Sequence, residues 1–319
     1  TPKPSSAASD VYKRQIQSRS WPASSANLEY AAVWGTLDNV ATDAALVCDD
    51  VPTRRISTLL EPAGRVKGSP ARLAENDRVS FIGCFVHGMG FVLEPHQAKQ
   101  WIADDPRNAE VVFPYLNGED LNSRADCSGS RWVIDFNDKT EDAAKQYAEP
   151  FERLRTLVKP ERQRQKPDGT YALRKPLPER WWQYADRRPA MRTAIADLDE
   201  VLVIALVSKT VMTVRVPTGQ VFSHLLGVFA TESFANQAML SSSLHQLWAI
   251  TYGSTLETRV RYTPSDVFLT FPRPMATGDL DRIGKSLDTE RREMMLRRDL
   301  GLTKICLLYT SPSPRDATL

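Results

Sequence analysis

Glu257 and Arg259 stand two positions apart, just beyond a Gly253-Ser254 turn. In an extended segment, such residues point to the same face. An arginine there can donate two hydrogen bonds to the O6 and N7 edge of guanine, and a glutamate can accept from the amine of cytosine. The pair therefore has the chemistry to read both members of one base pair, and equally that of a surface ion pair worth about 0–1 kcal/mol. Lys209, beside Ser208 and after the β-branched run Val201 to Val207, combines charge with a strand-end position suited to a phosphate. An edge-strand charge that blocks unwanted strand pairing has the same signature.

A basic stretch adds to this chemistry. Between Glu152 and Arg192, twelve Lys or Arg residues face five Asp or Glu. Arg164, Lys166, Arg174 and Lys175 are its candidates for backbone contacts, because cations of this kind neutralise phosphates and orient a protein without reading sequence. Trp181, Trp182 and Tyr184 lie within the stretch; adjacent aromatics usually pack at least one ring inward. Cys84 and His87 form the one close Cys/His pair, but a thiol nucleophile also needs an orienting partner and an oxyanion donor, and the sequence supplies neither. Gly88-Met89-Gly90 lacks the third glycine and the following helix of a dinucleotide loop, and so reads as a turn. His245 and His224 read as hydrogen-bonded structural histidines.

The elements that position these residues follow from hydrophobic period and turn chemistry. Strands are expected at Leu28 to Trp34, Val79 to Phe85, Glu110 to Phe113 and Arg131 to Phe136, with Asn117-Gly118-Glu119-Asp120 as a turn. Helices are expected at Glu94 to Asp104, Thr140 to Val158, Glu179 to Leu198, Phe234 to Tyr252 and Asp281 to Leu300. Val201 to Val207, Val211 to Val216 and Val221 to Phe229 suggest a β meander joined by Pro217-Thr218-Gly219. The fold class is α+β: a mixed β recognition domain with flanking helices and a C-terminal amphipathic helix.

Both ends have a foreign look. Ser5 to Gln15 and Cys306 to Asp316 resemble translated sequencing adapters, so the natural chain is expected to run from 16 to 305. Setting the ends aside removes four of the 41 basic and two of the 39 acidic residues and leaves the charge balanced. A uniformly basic nucleic-acid binder is not indicated, and such a role must rest on a local patch. No run approaches the ~18–20 apolar residues that span a bilayer, no leader opens the chain, and the cytoplasm is the expected compartment. Cys48, Cys84 and Cys127, odd in number and widely spaced, suit reduced thiols better than a disulfide framework or a zinc site.

An ordered series of strings carries a resemblance. It runs through Ser20-Trp21-Pro22, Gly88-Met89-Gly90-Phe91-Val92-Leu93, Pro114 to Asn122, Ser130-Arg131-Trp132-Val133-Ile134 and Arg180-Trp181-Trp182-Gln183-Tyr184. It continues through Val207-Ser208-Lys209-Thr210, Pro217 to Phe222, Tyr252 to Arg259 and Arg261 to Asp266. Together these resemble the target recognition region of MmeI-like adenine-specific DNA methyltransferases of restriction-modification systems, over nearly all of residues 20 to 304. The resemblance implies a parent polypeptide with an upstream methyltransferase domain that uses S-adenosylmethionine, a double-stranded DNA partner, and no catalytic residues in this segment. It implies the end of the methyltransferase domain at 16–36, a linker at 37–75, the recognition domain at 76–273 and the start of a C-terminal helical region at 274–305. The family's base-reading segments fall on His224 and Leu225 and on Glu257 and Arg259. Neither a glycine-rich cofactor loop nor an Asn-Pro-Pro-Tyr motif occurs in the sequence. A non-enzymatic protein-interaction domain is the alternative that the neutral charge and this lack keep open.

Overall fold

A computed structural model describes residues 11–20, 29–36, 44–53, 56, 70–256 and 259–310, and the chain divides into two units at Ser69 and Pro70. The first unit holds one sheet of order β2-β1-β3-β4, built from β1 (Val11–Ser20), β2 (Glu29–Thr36), β3 (Leu46–Cys48) and β4 (Val51–Thr53). β3 and β4 form a hairpin whose turn residues, Asp49 and Asp50, sit at φ of 49° and 65°. Such a two-residue turn matches the twist of the paired strands, and Asp tolerates the left-handed region. It lies inside the 37–75 stretch expected to be a linker.

The second unit is organised by three small sheets. Its elements are β5 (Ser80–Ile82), β6 (Val92–Leu93), α1 (Pro95–Asp104), β7 (Val112–Leu116), α2 (Gly118–Ser123) and β8 (Arg131–Ile134). There follow α3 (Glu141–Ala144), α4 (Ala148–Leu157), α5 (Lys159–Arg162), α6 (Pro189–Ile195), β9 (Glu200–Ala205) and β10 (Val207–Ser208). Then come β11 (Val214–Pro217), β12 (Val221–Phe222), β13 (Leu226–Phe229), α7 (Phe234–Leu240) and α8 (Ser243–Tyr252). The last are β14 (Ser254–Leu256), β15 (Arg259–Arg261), α9 (Gly278–Arg298) and α10 (Leu302–Thr310). The fold class is α+β.

β9 is the centre of the unit. Alternate side chains of a strand face opposite ways. Val201, Val203 and Ala205 enter the larger apolar cluster with Val214, Val216 and Val228, whereas Leu202 and Ile204 enter the smaller one with Phe229, Tyr262 and Phe268. A strand covered on both faces reads as an unbroken apolar run, which is what Val201 to Ala205 is.

The expected meander is corrected. The sheet order is β11-β9-β13-β5, so β9 lies between its two successors. The run Val221 to Phe229 splits at Ser223-His224-Leu225: β12 leaves to pair in parallel with β7, and β13 stays with β9 and β5. Helical expectations need correction too. Of Glu179 to Leu198 only α6 is helical, because Pro189 suits a first helical position and Arg188 before it is held at φ 54°. The four residues Trp181 to Tyr184 are all buried, which one helical face cannot achieve. Asn117 to Asp120 is not a free turn: the Asn117 side chain accepts from the amides of Glu119 and Asp120 and caps α2. Thr140 to Val158 breaks at Tyr147, and Phe234 to Tyr252 breaks at Ser241-Ser242, where Ser242 caps α8. α10 crosses position 305 without interruption, and the Cys306 thiol lies 3.8 Å from the Met212 sulfur.

His245 ties α8 to the smaller core. Its Nδ1 is 2.6 Å from the Leu240 carbonyl and its Nε2 is 3.0 Å from the Tyr262 hydroxyl, with the ring fully buried. Burial pushes the imidazole down to about 4 against the weaker opposing pull of the Leu240 bond. An unfolded chain takes this proton near pH 6.5. Stability present above that pH is therefore lost as pH falls from about 6.5 to about 4, by about 3 kcal/mol in all. We expect His245→Gln to be less stable than the parent at pH 7 and to lose less on acidification. Urea midpoints at pH 7 and 4.5 check this, and equal losses in both proteins would contradict it.

Candidate nucleic-acid interface

One end of the second unit gathers cations, histidines and exposed apolar side chains on a frame of backbone hydrogen bonds. The frame begins at the loop after β5. Cys84 donates its amide to the Phe222 carbonyl at 2.7 Å, and its own carbonyl accepts from His224 at 2.8 Å. This clamps the 84–88 loop to the Ser223-His224-Leu225 turn. Leu225 in turn accepts from the Leu206 amide at 2.9 Å, and Leu206 accepts from Tyr262 at 2.7 Å. β10 then pairs with β15 through Val207 against Arg261 and Ser208 against Val260. Lys209 follows Ser208, the last paired residue of β10, and Arg259 precedes Val260, the partner of Ser208, on β15.

Lys209, Arg259 and Arg261 are exposed. Exposed lysine and arginine side chains are the groups that neutralise a polyanion. His224 is half-buried, and burial with the nearby Arg188 cation lowers its imidazole below the ordinary histidine range. It is therefore neutral near pH 7, and its Nδ1 has no hydrogen-bond partner. Leu225 beside it is 50% exposed.

The basic stretch meets this surface through Arg162. That side chain is buried, and its guanidinium donates to the carbonyls of Val86, His87, Trp181 and Gln183. Beyond it a hairpin pairs Gln165 with Tyr171, closed by Lys166 N–H to the Thr170 carbonyl at 2.8 Å and by Gly169 at φ 79°. Arg164, Lys166, Arg174 and Lys175 are all exposed along this segment.

The model for the target recognition domain of MmeI matches residues 66–275. The chain belongs to that family. Among solved structures it is similar to one titled "Structure of Type IIL restriction-modification enzyme MmeI in complex with DNA has implications for engineering of new specificities". The TM-score is 0.63 at 14% identity, over 97% of this chain and 41% of that one, which is a likeness of fold. The chain thus spans about two fifths of the length of the protein it matches. No curated protein matches it.

Within this recognition domain the expected site residues divide into two groups. His224, Leu225, Ser208, Lys209 and Arg259 are joined through the turn and the β10–β15 ladder, while Arg164, Lys166, Arg174 and Lys175 lie on the separate hairpin segment. Glu257 lies outside the described residues. The Ser208 hydroxyl is buried and engaged with Asn122 Oδ1 at 3.2 Å and with Thr210, so it holds β10 against α2. Lys175 is paired with Glu179 at 2.7 Å. Both Trp181 and Trp182 are core residues.

The Cys84 thiol is buried and pushed up to about 11 by desolvation, so it is no nucleophile at neutral pH. Gly88-Met89-Gly90 does not fit a cofactor cradle. Residues 89–91 form a short turn leading into β6, and a Cβ on Gly90 would meet Val158 at 2.6 Å and Leu157 at 2.9 Å. Among the described residues no cluster of three or more His, Cys, Asp or Glu is placed to hold a metal, and no helix is long and apolar enough to cross a membrane. A cleft of about 550 Å³ lies elsewhere, lined by Lys99, Arg124, Trp132 and Arg292. Sequence reasoning missed Phe85, Arg162 and Arg188 as parts of this surface. Only Arg261 carried a local signal, since it alternates with Arg259.

Proposed function

We propose that the second unit reads duplex DNA for a restriction-modification methyltransferase. The supporting observation is that the β10–β15 pair, which carries Arg259 and Arg261 with Lys209 next after Ser208, is hydrogen-bonded through Leu206 to the His224-Leu225 turn in a chain of the MmeI target recognition family. Arg259, Glu257, His224 and Leu225 contact base edges. Lys209, Arg164, Lys166, Arg174 and Lys175 contact phosphates and set the register, and Ser208 holds the strand from which Lys209 projects. The methyl group comes from S-adenosylmethionine bound by a methyltransferase domain upstream in the same polypeptide, and its acceptor is the exocyclic amine of an adenine flipped out of the stack.

Fluorescence anisotropy with a labelled 30-base-pair duplex, over a series of salt concentrations, tests the reading. Binding should weaken linearly on a log–log plot. Lys209→Ala and Arg164→Ala should each weaken binding to all sequences alike and lower the slope by about 1. No binding, or slopes unchanged in both variants, contradicts it. The finer claim is tested in the parent polypeptide, where labelled methyl groups from S-adenosylmethionine should appear as N6-methyladenine and nowhere else.

A further inference from the structure

Phe85 presents its ring to solvent although its backbone is held from three sides. Its amide donates to the Asp186 carbonyl at 3.0 Å and its carbonyl accepts from the Asp186 amide at 3.1 Å. The next two carbonyls, of Val86 and His87, are held by Arg162 at 3.0 and 2.7 Å. The preceding Gly83 carbonyl accepts from Arg188 Nε at 3.2 Å, and Arg188 is steered by Asp186 at 3.0 Å. The ring stands edge-on to His224 at 4.6 Å and to His87 at 5.3 Å, and it remains 39% exposed. Leu225, next to His224 in the chain, is 50% exposed.

An exposed phenylalanine ring thus packs on a histidine whose chain neighbour is an exposed leucine, in a unit that also exposes Lys209 and Arg261. We infer that Phe85, with Leu225, reads the 5-methyl group of thymine in the major groove. The inference rests on the reading of this face as the DNA-binding one. Lys209 and Arg261, exposed in the same unit, are cations that suit a polyanion. Among the base edges of the major groove, thymine alone carries an apolar substituent, and apolar contact with a phenylalanine ring is one of the ways it is read. Rigid backbone on both sides of Phe85 fixes where the ring meets that methyl group, which is what a discriminating contact requires.

The test separates this inference from its premise. Duplexes enriched by the chain from a random-sequence pool are remade with thymidine or with deoxyuridine, which differ by the methyl group alone. Competition binding should show the parent chain about fivefold weaker on the deoxyuridine pool, a loss of about 1 kcal/mol. Phe85→Ala should bind both pools equally, and Phe85→Leu should keep part of the preference. Equal binding of both pools by the parent chain, or full preference retained in Phe85→Ala, overturns the inference. Failure of the parent chain to enrich any duplex overturns the DNA-reading premise instead.

Discussion

Arg162→Met should lower the stability of the second unit by about 3–5 kcal/mol, among the largest effects of any single substitution in it. Arg162 is 1% exposed and, among the described residues, forms no ion pair within 4 Å; its charge is stabilised by four carbonyl dipoles and by the Phe91 ring, whose centroid is 5.0 Å from the guanidinium. Burial holds its guanidinium down to about 10. Methionine fills a similar volume but donates nothing, which leaves the carbonyls of Val86, His87, Trp181 and Gln183 in the core without this donor. At about 2–4 °C per kcal/mol for a unit of this size, the midpoint of thermal unfolding should fall by roughly 10 °C. Arg162→Lys should not rescue it, because one ammonium cannot reach four carbonyls spread around a planar fork. A midpoint within about 2 °C of the parent would show that the carbonyls find other donors and that Arg162 is not the hub described.

The second large effect concerns sequence preference. In the double substitution Glu257→Lys with Arg259→Asp, an anion and a cation two positions apart in the sequence exchange places. An arginine on the O6 and N7 edge of guanine is worth about 1–3 kcal/mol of discrimination, a factor of roughly 5 to 150 between base pairs. The swap should therefore change which base pair is preferred at one position of the bound site. Lys209→Ala, at a proposed phosphate contact, should leave the preference intact. Competition between duplexes that differ at that single pair measures both. A swap that weakens binding equally to every competitor would make the pair a charge contact and nothing more.

How much of this was legible in the sequence depends on whether the cause was local. β9 announced itself because both its faces are covered, and α1 because Pro95 and the period that follows it are local signals. The splitting of Val221 to Phe229 was not legible: its cause is the pairing of β12 with Tyr115 and Leu116, a hundred residues away. The run Glu179 to Leu198 imitates a helix in composition, yet four consecutive buried side chains require the chain to turn, and only the packed core shows that.

The interface divides along the same line. Lys209 was visible as a charge at a strand end and Arg259 as a cation in an extended segment, and the pairing of β10 with β15 sets their strands side by side. Arg162 was hidden among twelve basic residues whose types are interchangeable on paper; only the carbonyls around it separate it from the exposed Arg164. Phe85 sits in Phe81-Ile82-Gly83-Cys84-Phe85, a string that reads as core throughout, so its exposure could not be anticipated.

The central claim, that this face reads base sequence, is tested most directly by selection from a random duplex pool with the parent chain and with the Glu257→Lys, Arg259→Asp double substitution, followed by sequencing. The account predicts one enriched motif for the parent and a motif altered at a single base pair for the swap. The same motif from both proteins, or no motif from the parent chain, would contradict it.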